Sequence, residues 1–281
     1  MSKSPSSPKS GHSAASNQTL QRAELALQMR QLGEAERLAS QIFKANNSNV
    51  DAAVLLARAL MMQNRVDEAI PTLQRAARRG DDARVETLLG AALAAVGRRE
   101  EALEVLSKAT TRRPSLPMAF LEYANQLSAS KRFEDAIAVL EDGLALVPDT
   151  VDQQLRLASL YIGRNDRAKA RTLLVRAAAL APLRADILTE LGRLLVLDGD
   201  YADAARTFRR ALELRPDDSV CRTNLGICLM EIGDRNGGEA SVREAFRSRP
   251  EMFGHAIMAL AASSHGRFFL RPSAAAKFLK T

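Results

Sequence analysis

Tryptophan is absent from this chain, and aromatic residues make up only 4% of it. A core without large rings must be filled by aliphatic side chains. Here these are mainly Ala and Leu, both strong helix formers. Cysteine is nearly absent. Cys221 and Cys228 are the only two. Seven residues apart on one helix, they stand about 10 Å apart along its axis, beyond the reach of a disulfide. There is no Cys-x-x-Cys and no third or fourth ligand nearby, which excludes a zinc site. The pair reads as small buried apolar side chains in a reducing, cytoplasmic compartment. Histidine is scarce too: His12 near the N-terminus, His255 and His265 near the C-terminus. No HExxH, GxSxG, GxGxxG or GxxxxGK pattern occurs, so the metalloprotease, serine hydrolase, dinucleotide and P-loop classes have no footing. Acidic pairs such as Glu100–Glu101 and Asp217–Asp218 fall at helix starts or turns, where the helix dipole favours them. The stretch 233–238, GDRNGG, lacks the further acids of a calcium loop and the lysine of a P-loop. It reads as a loose turn with a weak helix start. No apolar run approaches the roughly 20 residues of a membrane span, and no h-region of a secretory signal is present. The chain is expected to be non-catalytic, without cofactor or metal.

What is present is a repeat. Residues 117–150 nearly overlay 151–184, 185–218 and 219–252 when moved forward by 34 positions. Moved back, they overlay 83–116, then 50–82 one residue short, then a degraded copy at 16–49. The eighth position is always small: Ala23, Ala57, Gly90, Ala124, Ala158, Gly192 and Gly226. So is the twentieth: Ala35, Ala69, Ala102, Ala136, Ala170, Ala204 and Gly238. Small residues there let two antiparallel helices cross closely, since packed interiors tolerate little added volume. Large apolar residues sit at position seven (Leu56, Leu89, Tyr123, Leu157, Leu191, Leu225) and one turn on at position eleven. Position 15 holds Asn64, Gly97, Asn165, Gly199 and Gly233, residues that tolerate the left-handed conformation closing a helix; Lys131 is the exception. Position 32 holds Pro114, Pro148, Pro182, Pro216 and Pro250, which should stop the second helix. Pro71, inside the second helix of its unit, should kink that helix or delay its start to about Asp67.

This pattern resembles the tetratricopeptide repeat (TPR) family across residues 16–252. The small residues at 8, 20 and 27, the apolar residue at 7, the aromatic or leucine at 24 (Phe208, Leu140) and the proline at 32 recur in phase. Departures are Arg22 and Asn47 in the first copy, Asp81 in the second and Gly238 in the seventh. Terminal units are expected to degrade, because one of their faces meets no neighbour. The resemblance implies an all-α, right-handed α-solenoid of about seven helix–turn–helix units over residues 17–252. Residues 1–16, Ser-rich with two prolines, are expected to form a disordered tail. Residues 253–281 should supply a capping helix and a basic C-terminal segment.

The formal charge is +7, and its location matters more than its size. Lys3 and Lys9 lie in the tail, and Arg267, Arg271, Lys277 and Lys280 in the last segment, with no acid beside them in either. The repeats themselves are close to balanced. Arginine pairs such as Arg78–Arg79 and Arg209–Arg210 fall at or between helix ends, and a nucleic-acid-binding solenoid would carry a basic stripe along its body. Nucleic acid is therefore not the expected partner of the repeats.

In TPR proteins the first helices line a concave groove. The resemblance implies that positions 2, 5, 9, 12 and 13 face it. The candidates are Arg58, Met61, Met62, Arg84, Leu121, Asn125, Ser128, Leu155, Ser159, Arg193, Val196 and Ile227. This surface is apolar and near neutral, with Met230 beside Ile227, and methionines adapt to varied partners. The Lys/Asn/Arg clamp by which some TPR domains hold acidic chaperone tails is broken. Asn125 matches one element, but Leu121 stands where lysine is needed. The reading is a non-catalytic TPR scaffold that binds a partner protein or peptide in its groove. Two alternatives stand beside it: a localisation or assembly factor whose basic C-terminal segment contacts nucleic acid or anionic membrane, and a non-catalytic subunit of an enzyme complex.

Overall fold

The computed structural model describes residues 9–269 and 271–280. Every regular element among them is helical, and the protein is an all-α solenoid. The chain divides into two compact units on either side of the Pro148–Asp149 bond. The first contains four helix pairs: α1 (Lys9–Gln28) with α2 (Leu32–Ala45), α3 (Val50–Met62) with α4 (Val66–Ala77), α5 (Ala83–Ala95) with α6 (Arg99–Thr111), and α7 (Pro117–Ala129) with α8 (Phe133–Leu146). The second contains three pairs and a cap: α9 (Val151–Gly163) with α10 (Arg167–Leu180), α11 (Ala185–Leu197) with α12 (Tyr201–Leu214), and α13 (Ser219–Glu231) with α14 (Arg235–Ser248). A 3-10 turn, Pro250–Met252, then leads into α15 (Phe253–Ala262) and, after a loop, α16 (Pro272–Lys280). Within each unit the first helices pack on one another in series and form one layer, while the second helices form the other.

The pairs are set by small side chains. The alanines at positions 8 and 20 are fully buried. Where glycine replaces them the helices come closer still. A Cβ on Gly90 would lie 2.4 Å from Leu106, and one on Gly192 would lie 2.6 Å from Phe208. In the last pair a Cβ on Gly226 would lie 2.9 Å from the Gly238 carbonyl oxygen, and one on Gly238 would lie 2.7 Å from that of Gly226. The GDRNGG stretch is thus no loose turn. Its last glycine, Gly238, is a backbone contact point, and the Asp234 side chain caps α14 by accepting from Gly237 N at 2.9 Å. Asn49, Asp82 and Asp218 cap α3, α5 and α13 in the same way.

Every first helix ends in one geometry. The residue at position 15 has positive φ in all seven pairs: Arg30, Asn64, Gly97, Lys131, Asn165, Gly199 and Gly233. The next amide donates back to the carbonyl of position 11, as from Arg132 to Leu127 and Asp200 to Leu195. The amide of position 15 itself reaches position 12. This is the Schellman closure, and Lys131 adopts it although its side chain does not favour it. Pro71 lies within α4 and does not delay it, since that helix starts at Val66.

Two expectations change at the chain ends. Residues 9–16, expected within a disordered tail, are the first turns of α1; once a packed helix is nucleated, extending it by Ala- and Ser-containing turns costs little. Residues 1–8 lie outside the described residues. At the other end α15 starts at Phe253, 34 residues after Ser219, so it keeps the register of a first helix although the repeat motif has gone. α16 does not complete that pair. It lies on α14 instead.

Candidate functional site

Positions 2, 5 and 9 of successive first helices meet in the first unit. Leu20, Gln21 and Glu24 of α1, Asp51, Val54, Leu55 and Arg58 of α3, and Arg84 of α5 line one open cleft of about 350 Å³. Its charges are paired across helices. The Arg58 Nη1 is 3.4 Å from Glu24 Oε1, and Arg84 reaches Asp51 at 2.8 Å and Asp82 at 2.9 Å. Burial alone would raise the Asp82 carboxyl, but hydrogen bonds from the Arg84 side chain and amide outweigh it and hold the group below the usual range. Arg58 and Arg84 are therefore not free cations waiting for a carboxylate. A ligand acid would have to displace Glu24 or Asp51.

Along the same layer Met62 is 47% exposed and Met118 is 53% exposed, large apolar side chains held in water. Met61 is half-buried against the core. Leu121 and Asn125 are half-buried on α7. Ser128 turns its hydroxyl onto the Ala124 carbonyl oxygen at 2.7 Å, so its donor is spent inside its own helix. Thr87, also at a groove position, does the same to Ala83 at 2.6 Å and is buried.

In the second unit Ser159, Arg193 and Leu197 are exposed, while Leu155 and Val196 are half-buried. Arg193 pairs with Glu190 on its own helix at 2.8 Å. Ile227 packs, partly buried, against a cluster that includes Met230, Leu260 and Leu279. Met230, expected to face the groove, is fully buried there. The cause is the cap: α15 continues the layer of first helices and covers the last stretch of α13. Sequence reasoning missed Leu20, Gln21 and Glu24 because the first copy is degraded, with Arg22 at position seven. The signal that could have placed them is the 34-residue spacing of Glu24 from Arg58.

Among the described residues no group of three His, Cys, Asp or Glu side chains could hold a metal ion. Cys221 and Cys228 are buried free thiols, and burial pushes them up to about 11 and about 12, so neither is a nucleophile at neutral pH. No helix among the described residues is long and apolar enough to cross a membrane.

Comparison with known proteins agrees with the geometry. One family model described as tetratricopeptide repeat matches residues 26–92 and 195–252, and a second of the same description matches 155–219. No curated protein matches the sequence significantly. Among solved structures, PilF of Pseudomonas aeruginosa superposes with a TM-score of 0.63 at 22% identity, covering 73% of this chain and 94% of that one. YrrB, whose structure is described as that of a TPR protein with an unusual peptide-binding site, gives 0.55 at 20% identity, covering 70% and 96%. MamA gives 0.54 at 18%, covering 58% and 95%. With the two models spanning more than half of the chain and these folds alongside, the chain belongs to the tetratricopeptide repeat family.

Proposed function

We propose that the protein is a non-catalytic, cytoplasmic scaffold that binds a partner protein or peptide on the layer of first helices. The observation that carries this reading is the first-unit surface, where α1, α3 and α5 share a cleft and Met62 of α3 and Met118 of α7 are exposed. Exposed methionines are costly in water and suit an adaptable apolar contact. Asn125 adds an amide with no side-chain hydrogen bond to another described residue, able to read a peptide backbone. The description of YrrB as a peptide-binding TPR protein supports the same class of ligand. The paired arginines argue for a mainly apolar ligand with few charges.

Affinity purification from the source cells tests the reading with three baits: wild type, Met62→Lys with Met118→Glu in the first unit, and Arg193→Glu with Leu197→Lys in the second. All four positions are exposed, so the circular dichroism and unfolding midpoints should not change. A partner recovered by wild type and lost from one variant maps its binding to that unit. Partners retained equally by both variants would overturn the groove assignment.

A further inference from the structure

The C-terminal cap gathers positive charge around α16. Arg243 of α14 and Arg267 of the preceding loop place their guanidinium carbons 5.1 and 4.6 Å from the centre of the Phe278 ring. Lys277 and Lys280 are exposed on α16 itself, and Arg271 immediately precedes it. Two acids packed against the cap are already engaged. Glu239, buried on α14, is held by Arg235 at 3.0 Å and Arg267 at 3.1 Å. Glu231 accepts from the Ser264 amide at 2.8 Å and hydroxyl at 2.6 Å. Among the described residues no carboxylate pairs with Arg271, Lys277 or Lys280, and no acid occurs after Glu251.

The same cap exposes large apolar side chains. Phe268 is 74% exposed and Met258 is 64% exposed, and α15 carries no charged residue at all. Phe268 does not hang from a loose tail. Its neighbours on both sides turn onto Phe278, Arg267 by cation–π contact and Phe269 with ring centres 5.3 Å apart. The Arg267 amide donates to Leu260 at 2.7 Å, and His265 Nδ1 lies 3.0 Å from the Met230 carbonyl oxygen. Gly266 is pressed so close to Leu260 that a Cβ would lie 1.8 Å from its carbonyl oxygen. The loop thus presents one aromatic ring outward from a clamped backbone.

We infer that this cap docks the scaffold on an anionic membrane surface, with Phe268 entering the interface and Arg271, Lys277 and Lys280 meeting lipid headgroups. Uncompensated lysine and arginine beside an apolar side chain is the chemistry that an anionic bilayer recognises. A bilayer deforms around a single projecting ring. A nucleic-acid strand would need a stacking platform, and the other rings of the cap are occupied, Phe269 with Phe278 and Phe253 with Phe246.

The experiment is co-sedimentation of the full chain with vesicles of phosphatidylcholine alone and of phosphatidylcholine mixed with phosphatidylglycerol. Binding is expected only to the mixed vesicles and should weaken as salt is raised. Replacing Arg271, Lys277 and Lys280 together by Gln should lower partitioning about a hundredfold, at about fivefold per charge. Phe268→Ser should lower it about tenfold. All four side chains are exposed, and circular dichroism of each variant checks that the fold is kept. Binding unchanged by the triple substitution, equal binding to neutral vesicles, or retention on duplex DNA or poly-glutamate with none on mixed vesicles would each overturn the proposal.

Discussion

At the residue scale the helix pairs are limited by single methyl groups. Gly192 faces Phe208, which is fully buried and has no room to retreat. Gly192→Ala should destabilise the second unit by about 1–3 kcal/mol through overpacking, despite the better helix propensity of alanine. Chemical denaturation followed by circular dichroism measures it, and adding Phe208→Leu should recover part of the loss. Lys131 is the opposite case. It sits at φ +60°, where four of the equivalent residues are glycine or asparagine within the first 200 residues and Gly233 follows. Lys131→Gly should stabilise the first unit by about 0.5–1 kcal/mol, because the left-handed strain outweighs the extra freedom that glycine gives the unfolded chain. A fall in the denaturation midpoint would show that the Lys131 side chain contributes more than its strain costs.

At the scale of the element, the cap depends on one buried carboxylate. Burial by itself would raise the Glu239 pKa, but hydrogen bonds from Arg267 and Arg235 hold it below the ordinary carboxylate value. Because the folded value is the lower one, the latch contributes fully above the unfolded value of about 4.3 and is lost as pH falls through the folded value. Amide hydrogen exchange in α15 and α16 should therefore speed up below about pH 4, ahead of exchange in α11 and α12. Glu239→Gln should loosen the same two helices already at neutral pH, since an amide cannot pair with two guanidiniums. Equal protection of the cap in that variant and in wild type would assign its stability to Leu260 and Leu279 alone.

At the scale of the whole molecule, stability in a repeat array is a sum of local pair terms and neighbour terms. Two compact units meeting at Pro148–Asp149 should not unfold as one two-state body. Removing everything after Met252 uncovers Met230, Val242 and Phe246, which the cap now buries. That truncation should lower the unfolding transition of the second unit and leave the transition of the first in place. Differential scanning calorimetry of the two chains reads both effects. A uniform shift of the entire profile would instead mean that the units melt together.

The sequence by itself determined the period, the ends of the first helices and the residues that let helices touch. Each of these is local: a small side chain at position 8 or 20, a proline at 32 and a 34-residue spacing are visible along the chain. It could name the face that the first helices present, because a helix fixes which positions share a side. It could not show which members of that face are spent. Arg58 turns to Glu24, Ser128 to Ala124, and Met230 disappears beneath α15. Each of these depends on a partner brought near by packing, and sequence position carries no distance to it. The C-terminal segment shows the same division. Its basic and aromatic composition was plain from the residues, but only the tertiary structure decided that Arg267 turns onto Glu239 and the Phe278 ring to hold the cap. It also left Phe268, Arg271, Lys277 and Lys280 outside, because Glu239 and the packed end of α14 can hold only the side chains that reach them.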